Sequence, residues 1–165
     1  MEKATVLVVD NQENVLKVIE NALGTISYDI IVMKNGQEGF AQLQNGPVDI
    51  VLADQAMPDM DCLEFLTTVK REFPDVVTIM LAEQIDLDTT IRAINEAGVY
   101  RFILKPWNSF ELRINVSRGI EFKRMVLEKR RLLEEIREND AVIRRITKKF
   151  PGVERIIHQI AEENA

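Results

Sequence analysis

The chain has 165 residues, of which 46% are hydrophobic and 29% are charged, and its formal net charge is −6. This composition is typical of a soluble globular protein with one domain and an appendage, or with one larger domain, and excludes a disordered or fibrous chain. No apolar run reaches the roughly 18 to 20 residues of a membrane span, and the short apolar stretch after Met1 lacks the features of a signal peptide. We therefore expect a cytoplasmic protein without a membrane partner.

The composition also limits the chemistry. Cys62 and His158 are the only cysteine and histidine, which excludes an internal disulfide and a multi-histidine metal site. Acidic residues exceed basic ones by nine within residues 1–121, whereas residues 122–165 carry a basic excess of three. Because nucleic-acid phosphates would be repelled by the acidic part, we expect no direct nucleic-acid binding.

Short aliphatic runs alternate with amphipathic helical patterns over residues 1–121. The runs are continuous, as in strands that are buried on both faces of a parallel sheet. They are Thr5–Val9, Ile30–Met33, Val48–Ala53, Val76–Leu81 and Tyr100–Leu104. Apolar spacing predicts helices between them, with Pro74 after the third and Gly98 as the C-cap of the fourth. The alternation predicts an α/β fold with a five-stranded parallel sheet and helices on both faces.

The sequence predicts a long helix with a coiled-coil seam over residues 122–149. Six of the eight seam positions are apolar; the a series is Phe122, Lys129, Ile136 and Ile143, and the d series is Met125, Leu132, Asn139 and Ile146. We expect this extension to leave a globular domain of residues 1–121 and to form a parallel homodimer. The alternative is one amphipathic helix folded back on its own domain. Phe150-Pro151-Gly152 ends the helix, and residues 150–165 form a short C-terminal segment.

Three charged residues stand at predicted strand ends: Asp10, Asp54 and Lys105. Because the carboxyl ends of parallel strands meet at one edge of a sheet, we expect these side chains to lie together. Two close carboxylates are stable only beside a cation, and Mg²⁺ prefers such oxygen ligands. An aspartate beside Mg²⁺ and a lysine is suited to accept a phosphoryl group.

Three motifs in this order resemble the receiver domain of bacterial two-component response regulators. They are Leu7-Val8-Val9-Asp10, Val51-Leu52-Ala53-Asp54 with Met57-Pro58, and Leu104-Lys105-Pro106. The resemblance extends from Lys3 to Glu121 and implies a flavodoxin-like receiver fold. It implies a phospho-accepting signalling domain rather than an enzyme, with at most self-catalysed phosphotransfer and dephosphorylation.

The resemblance also implies roles for individual residues. Asp54 would accept a phosphoryl group from a histidine kinase or phosphotransfer protein, and Lys105 would sense the phosphate. The metal ligands would be Asp10, Asn11, Asp54 and Ala56. Ala82 and Phe102 fall at the switch positions, and the Lys105-Pro106 bond would be cis.

The stretch from residue 93 to residue 107 resembles a receiver subgroup that is often joined to effector domains, such as cyclic-di-nucleotide enzymes or transcriptional activators. The resemblance leaves two interpretations open: a longer regulator with a downstream effector domain, or a stand-alone receiver with a dimerising arm.

Several positions depart from the receiver pattern. Asn11 replaces an acid that is usually a metal ligand, so Mg²⁺ affinity should fall. Ala82 replaces a Ser or Thr whose hydroxyl contacts the phosphoryl group, and Glu83 adds negative charge next to it. Asp59 and Cys62 replace common glycines.

These departures leave a second interpretation open, in which a degenerate receiver serves as a phosphorylation-independent scaffold for dimerisation or docking. A third is an aspartate-nucleophile phosphatase of the haloacid-dehalogenase type. That class needs an acid at the position of Gln12, which weighs against it.

Overall fold

The structure is a computed structural model that describes residues 3–24 and 28–163. The chain divides into two compact units, the first ending at Arg124 and the second beginning at Met125. None of the helices in the described ranges combines the length and apolarity that a bilayer crossing needs.

The first unit contains a parallel sheet whose strands occur in the order β2-β1-β3-β4-β5. The strands are β1 (Ala4–Val9), β2 (Tyr28–Met33), β3 (Ile50–Asp54), β4 (Val77–Ala82) and β5 (Arg101–Leu104). The helices between them are α1 (Glu13–Leu23), α2 (Gly36–Asn45), α3 (Cys62–Glu72) and α4 (Leu87–Asn95). The predicted α/β class and the five-stranded parallel sheet are confirmed.

Helices cover both faces of the sheet because successive side chains of a strand point to opposite sides. In β1, Val6 and Val8 pack in one apolar cluster, whereas Leu7 and Val9 pack in the other. The first cluster includes buried residues of α1 and of the fifth helix, and the second includes buried residues of α2, α3 and α4. The strands are therefore buried on both faces, as their continuous apolar runs predict.

The fifth helix, α5 (Ser109–Lys149), begins in the first unit and ends in the second. Gly119 lets it pack tightly on the sheet, since an added Cβ there would lie 2.6 Å from Cδ1 of Ile50. The predicted long helix is confirmed, and it ends before Phe150. A further helix, α6 (Val153–Glu163), follows in the second unit.

Helix α4 ends earlier than the sequence pattern indicates. Its C-cap is Glu96, so the prediction that Gly98 caps this helix is wrong. Gly98 instead adopts a positive φ of 58° before β5, a conformation that glycine takes without steric cost. Val99 N–H donates to the Ala93 carbonyl over this turn at 2.9 Å, which satisfies one carbonyl of the last helical turn.

Candidate functional site

The carboxyl edge of the sheet brings together Asp10, Asp54 and Lys105. Asp10 follows β1, Asp54 ends β3, and Lys105 follows β5. The Nζ atom of Lys105 lies 2.9 Å from Oδ1 of Asp54 and 3.3 Å from Oδ2 of Asp10. Asp10 and Asp54 are 1% and 2% exposed, so both carboxylates lie below the surface. The structure thus places the three strand-end residues in one charge cluster.

Burial and ion pairing shift the pKa values of Asp10 and Lys105 in opposite directions. Burial raises the pKa of Asp10 above its ordinary value, although the Gln12 N–H donates to Oδ1 of Asp10 at 2.8 Å and partly offsets the rise. Burial alone would lower the pKa of Lys105, but the hydrogen bond to Asp54 and the charges of both carboxylates raise it. Lys105 therefore stays a cation and carries the only positive charge in this cluster of three.

The two carboxylate oxygens of Asp54 differ in their surroundings. Oδ1 accepts the hydrogen bond from Lys105. Oδ2 is buried and has no hydrogen-bond partner among the described residues. A buried carboxylate oxygen without a partner costs free energy, on the order of 1–3 kcal/mol or more. This atom is therefore the natural place for a cation or an electrophile to bind.

The donor set suits a hard divalent cation. No group of three or more His, Cys, Asp or Glu that could hold a metal occurs in the described part of the chain, so two carboxylates are the acidic core of the site. Asn11 and Ala56 lie exposed just after β1 and β3, where an amide or backbone carbonyl oxygen can add to the carboxylates. Carboxylate, amide and carbonyl oxygens are the ligands that Mg²⁺ prefers. The residues present fit Mg²⁺, because the oxygens they offer are of these kinds.

Ala82 and Phe102, which the resemblance places at switch positions, lie on neighbouring strands. Ala82 is fully buried at the end of β4, and its carbonyl accepts the Lys105 N–H at 2.7 Å. Its methyl side chain offers no hydrogen bond at this edge. Phe102 of β5 is half-buried and packs against the second apolar cluster. Glu83 follows Ala82 and is exposed.

Beyond Lys105, the loop after β5 forms one wall of a shallow cavity. The Lys105-Pro106 peptide bond is cis, as the resemblance implied. Lys105 Nζ lies 5.9 Å from the centroid of the Trp107 ring, which is partly buried. A cavity of about 220 Å³ beside it is lined by Asn14, Val15, Val18, Lys105, Pro106 and Trp107. Trp107 is therefore close enough to report changes at Lys105.

At the opposite edge of the sheet, α5 is attached by an ion pair that the sequence patterns do not indicate. Asp49 accepts hydrogen bonds from Lys123 Nζ at 2.7 Å and from the Thr5 N–H at 2.7 Å. Burial opposes ionisation of Asp49, but the Lys123 hydrogen bond and the Thr5 N–H lower its pKa below the ordinary value. Lys123 also donates to the Val48 carbonyl at 3.3 Å. These contacts join α5 to the segment before β3 and to the start of β1.

The chain belongs to the response regulator receiver domain family, whose model matches residues 6–117. Receiver domains are signalling domains of two-component systems. This match confirms the resemblance that the strand-end motifs carry.

The relatives are regulators of transcription and longer than this chain. The hydrogenase transcriptional regulatory protein HoxA of Cupriavidus necator is 32% identical over 143 residues, which cover 87% of this chain and 30% of HoxA. The DNA-binding transcriptional regulator NtrC of Salmonella typhimurium is 31% identical over 120 residues, which cover 73% of this chain and 25% of NtrC. The chain thus spans less than a third of the length of these relatives.

Among solved structures, the signal receiver domain of an HD domain-containing protein from Pseudomonas fluorescens Pf-5 has a TM-score of 0.74 and 26% identity. The similarity covers 78% of this chain and 94% of that one. A solved receiver domain is thus matched over nearly its whole length.

Proposed function

We propose that this receiver accepts a phosphoryl group on Asp54 from the phosphohistidine of a histidine kinase or phosphotransfer protein. The observation that carries the proposal is the unequal environment of the two Asp54 oxygens: Lys105 holds Oδ1, whereas buried Oδ2 has no partner in the described ranges. In the transfer, Oδ2 forms a bond to phosphorus while the phosphorus–nitrogen bond of the donor breaks. The donor imidazole leaves with the bonding electron pair and takes up a proton.

Lys105 and the metal ligands have separate tasks in this proposal. Lys105 orients Asp54 through Oδ1 and offers its ammonium protons to the phosphoryl oxygens. Asp10, Asp54, Asn11 and the Ala56 carbonyl would hold Mg²⁺, which when bound neutralises charge on the phosphoryl oxygens. Asn11 brings no charge, so we expect weaker Mg²⁺ binding than with an acid at that position.

We further propose that the extension pairs two copies in a parallel coiled coil over residues 122–146. Within the second unit, the apolar seam side chains are exposed in the single chain, from 41% for Ile143 to 63% for Met125. The HoxA similarity covers more residues than the first unit contains, so it includes part of this extension. In this scheme residues 1–121 receive the signal and residues 122–149 dimerise. Residues 150–165 form a short C-terminal segment after the coiled coil.

The output is proposed from the relatives. HoxA and NtrC are named as transcriptional regulators, and this chain matches less than a third of each. We infer that the receiver controls an effector domain of a transcription regulator, located outside these residues. Phosphorylation would act by shifting a two-state equilibrium that the dimeric helix passes on.

The test is chemical modification of the full chain. Acetyl phosphate or a phosphohistidine donor with Mg²⁺ should add one phosphoryl group by intact mass, and Asp54→Ala should abolish the gain. Beryllium fluoride with Mg²⁺ should give a saturable change in Trp107 fluorescence that Asp54→Ala removes. A wild-type chain that gains no mass with either donor, and a partner interaction unchanged in Asp54→Ala, would instead support the scaffold interpretation.

A further inference from the structure

The loop between β3 and α3 is fastened to the start of α2 by Asp59. Oδ1 of Asp59 accepts the Gly36 N–H at 2.8 Å, and Oδ2 accepts the Gln37 N–H at 2.9 Å. The two donors lie 23 and 22 residues away in the sequence, so this contact joins the loop to the start of a distant helix. Both oxygens of one carboxylate are used.

These bonds satisfy amides that a helix leaves without partners. The first N–H groups of an α-helix have no carbonyl to bind within the helix. In α2 the side chain of the N-cap Asn35 accepts the Glu38 N–H, at 2.8 Å. Asp59 accepts the N–H groups of Gly36 and Gln37, which precede Glu38. The helix dipole also favours a negative charge at this end of α2. Although burial opposes ionisation, the two N–H groups lower the pKa of Asp59, so it is charged at neutral pH.

A second contact fixes the same loop. An added Cβ at Gly36 would lie 2.6 Å from Sδ and 2.8 Å from Cγ of Met60. The Met60 side chain therefore packs directly over the backbone of Gly36, where any larger residue would push it away. Asp59 and Met60 together hold the loop against the first turn of α2.

The segment between Asp54 and Asp59 is therefore anchored at both ends. At its start, the Gln55 N–H donates to the Leu81 carbonyl at 2.7 Å, which continues the pairing of β3 with β4. At its end, Asp59 is tied to α2. Ala56 lies between these anchors, and its carbonyl is one of the ligands that the proposed function assigns to Mg²⁺.

We propose that Asp59 is a positioning residue, which fixes the loop of residues 55–59 against α2 and so sets the affinity of the site for Mg²⁺. This inference rests on the proposed function, because it concerns the loop that carries Ala56. The two hydrogen bonds of its carboxylate tie the loop to a neighbouring helix.

The chain offers a matched control in Asp61. Asp61 stands two residues further on and caps α3, where its Oδ1 accepts the Glu64 N–H at 3.0 Å. Asp59→Asn and Asp61→Asn each remove one negative charge from the same connection. Asp59→Asn also loses one of two acceptor oxygens, whereas an asparagine at position 61 keeps an oxygen for the Glu64 N–H and caps a helix about as well as aspartate. An effect of charge alone would therefore be similar in both variants.

The experiment compares the full wild-type chain with these two variants by calorimetric titration of Mg²⁺ in the presence of beryllium fluoride. Amide hydrogen exchange of the metal-free proteins provides a second readout. Asp59→Asn should weaken Mg²⁺ binding about tenfold, the lower end of the usual effect of residues that orient metal ligands. It should also speed exchange at Gly36 and Gln37. Asp61→Asn should keep the wild-type Mg²⁺ affinity and leave exchange at Gly36 and Gln37 unchanged.

The outcomes separate this inference from the function on which it rests. If wild type binds Mg²⁺ and Asp59→Asn binds it equally well, the positioning role is wrong and the proposed function stands. Unchanged exchange at Gly36 and Gln37 in Asp59→Asn would also overturn the role. If wild type binds no Mg²⁺, the proposed metal site fails, and the role of Asp59 fails with it.

Discussion

Lys105 and Asp54 form an ion pair of 2.9 Å between residues that lie 51 positions apart, across the intervening strand β4. The same ammonium reaches Asp10 at 3.3 Å, so one cation balances two buried carboxylates. In the proposed function, a phosphoryl group on Asp54 would compete for this cation. The change would then reach the end of β5 through Lys105.

Replacing Lys105 by methionine should destabilise the first unit. The change leaves Asp10 and Asp54 buried without their cation, and breaking a buried pair in this way costs about 3–5 kcal/mol. The loss should be largest near neutral pH. Since burial without Lys105 raises the pKa of Asp10 further, the folded state binds a proton more tightly than the unfolded chain, and the loss shrinks as the pH falls. Urea unfolding of Lys105→Met at pH 7 and at pH 4 measures this trend.

The control for this variant is Lys17→Met, which removes an exposed lysine from α1. It should leave the free energy of unfolding nearly unchanged at both pH values. An equal effect of the two substitutions would show that Lys105 does not stabilise the cluster.

The attachment of α5 through Asp49 should also weaken as the pH falls, although here the pKa of the carboxyl is lowered by folding. The pKa of Asp49 is lowered in the folded state, so its pairing with Lys123 stabilises the fold above the ordinary pKa of an aspartate. This stability is lost as the pH falls through the lowered pKa. Asp49→Asn should therefore cost about 2 kcal/mol at pH 7 and progressively less at acid pH, as expected for a hydrogen bond to a charged group. Thermal unfolding across that pH range is the measurement, and exposed Asp29→Asn should lack the trend.

The fold was largely predictable because its signals are local. Continuous apolar runs mark strands that are buried on both faces, and the rule for parallel sheets places Asp10, Asp54 and Lys105 at one edge. The end of α4 differs from the prediction because a glycine after an apolar pattern indicates a C-cap whether or not further turn residues intervene. The start of β3 also differs from the prediction. The apolar run begins at Val48, whereas the strand begins two residues later, at Ile50.

The contacts that hold α5 and the loop after β3 in place could not be predicted from the sequence. Lys123 lies 74 residues from Asp49, and Asp59 lies 23 from Gly36. No periodicity links such residues, since each contact depends on how two loops or a loop and a helix pack. Phe122 illustrates a mixed case. The heptad places it in the seam, whereas in the first unit its ring stacks on Tyr100 at 4.9 Å.

An aspartate in the seam should dissociate the proposed dimer. Leu132→Asp would bury a charge at a d position of the coiled coil, and an unpaired buried charge costs several kcal/mol. Analytical ultracentrifugation at micromolar concentration should show wild type as a dimer and Leu132→Asp as a monomer. Ala141→Asp is the matched control, since it introduces the same charge at an f position, which faces away from the seam. A wild-type monomer would contradict the coiled coil.

Placing an acid next to Asp10 should have two opposite effects. Asn11→Asp adds a negative charge near Asp10 and Asp54, so the metal-free protein should become less stable through repulsion. The same charge should strengthen Mg²⁺ binding at least about tenfold, because unit charges 4 Å apart attract by about 1 kcal/mol in water and about 4 kcal/mol near a protein surface. The melting temperature of Asn11→Asp should therefore lie below that of wild type without Mg²⁺ and rise more steeply as Mg²⁺ is added. Asn14→Asp in α1 adds an equal charge nearby and controls for net charge. If both variants respond to Mg²⁺ like wild type, Asn11 does not lie at the metal site.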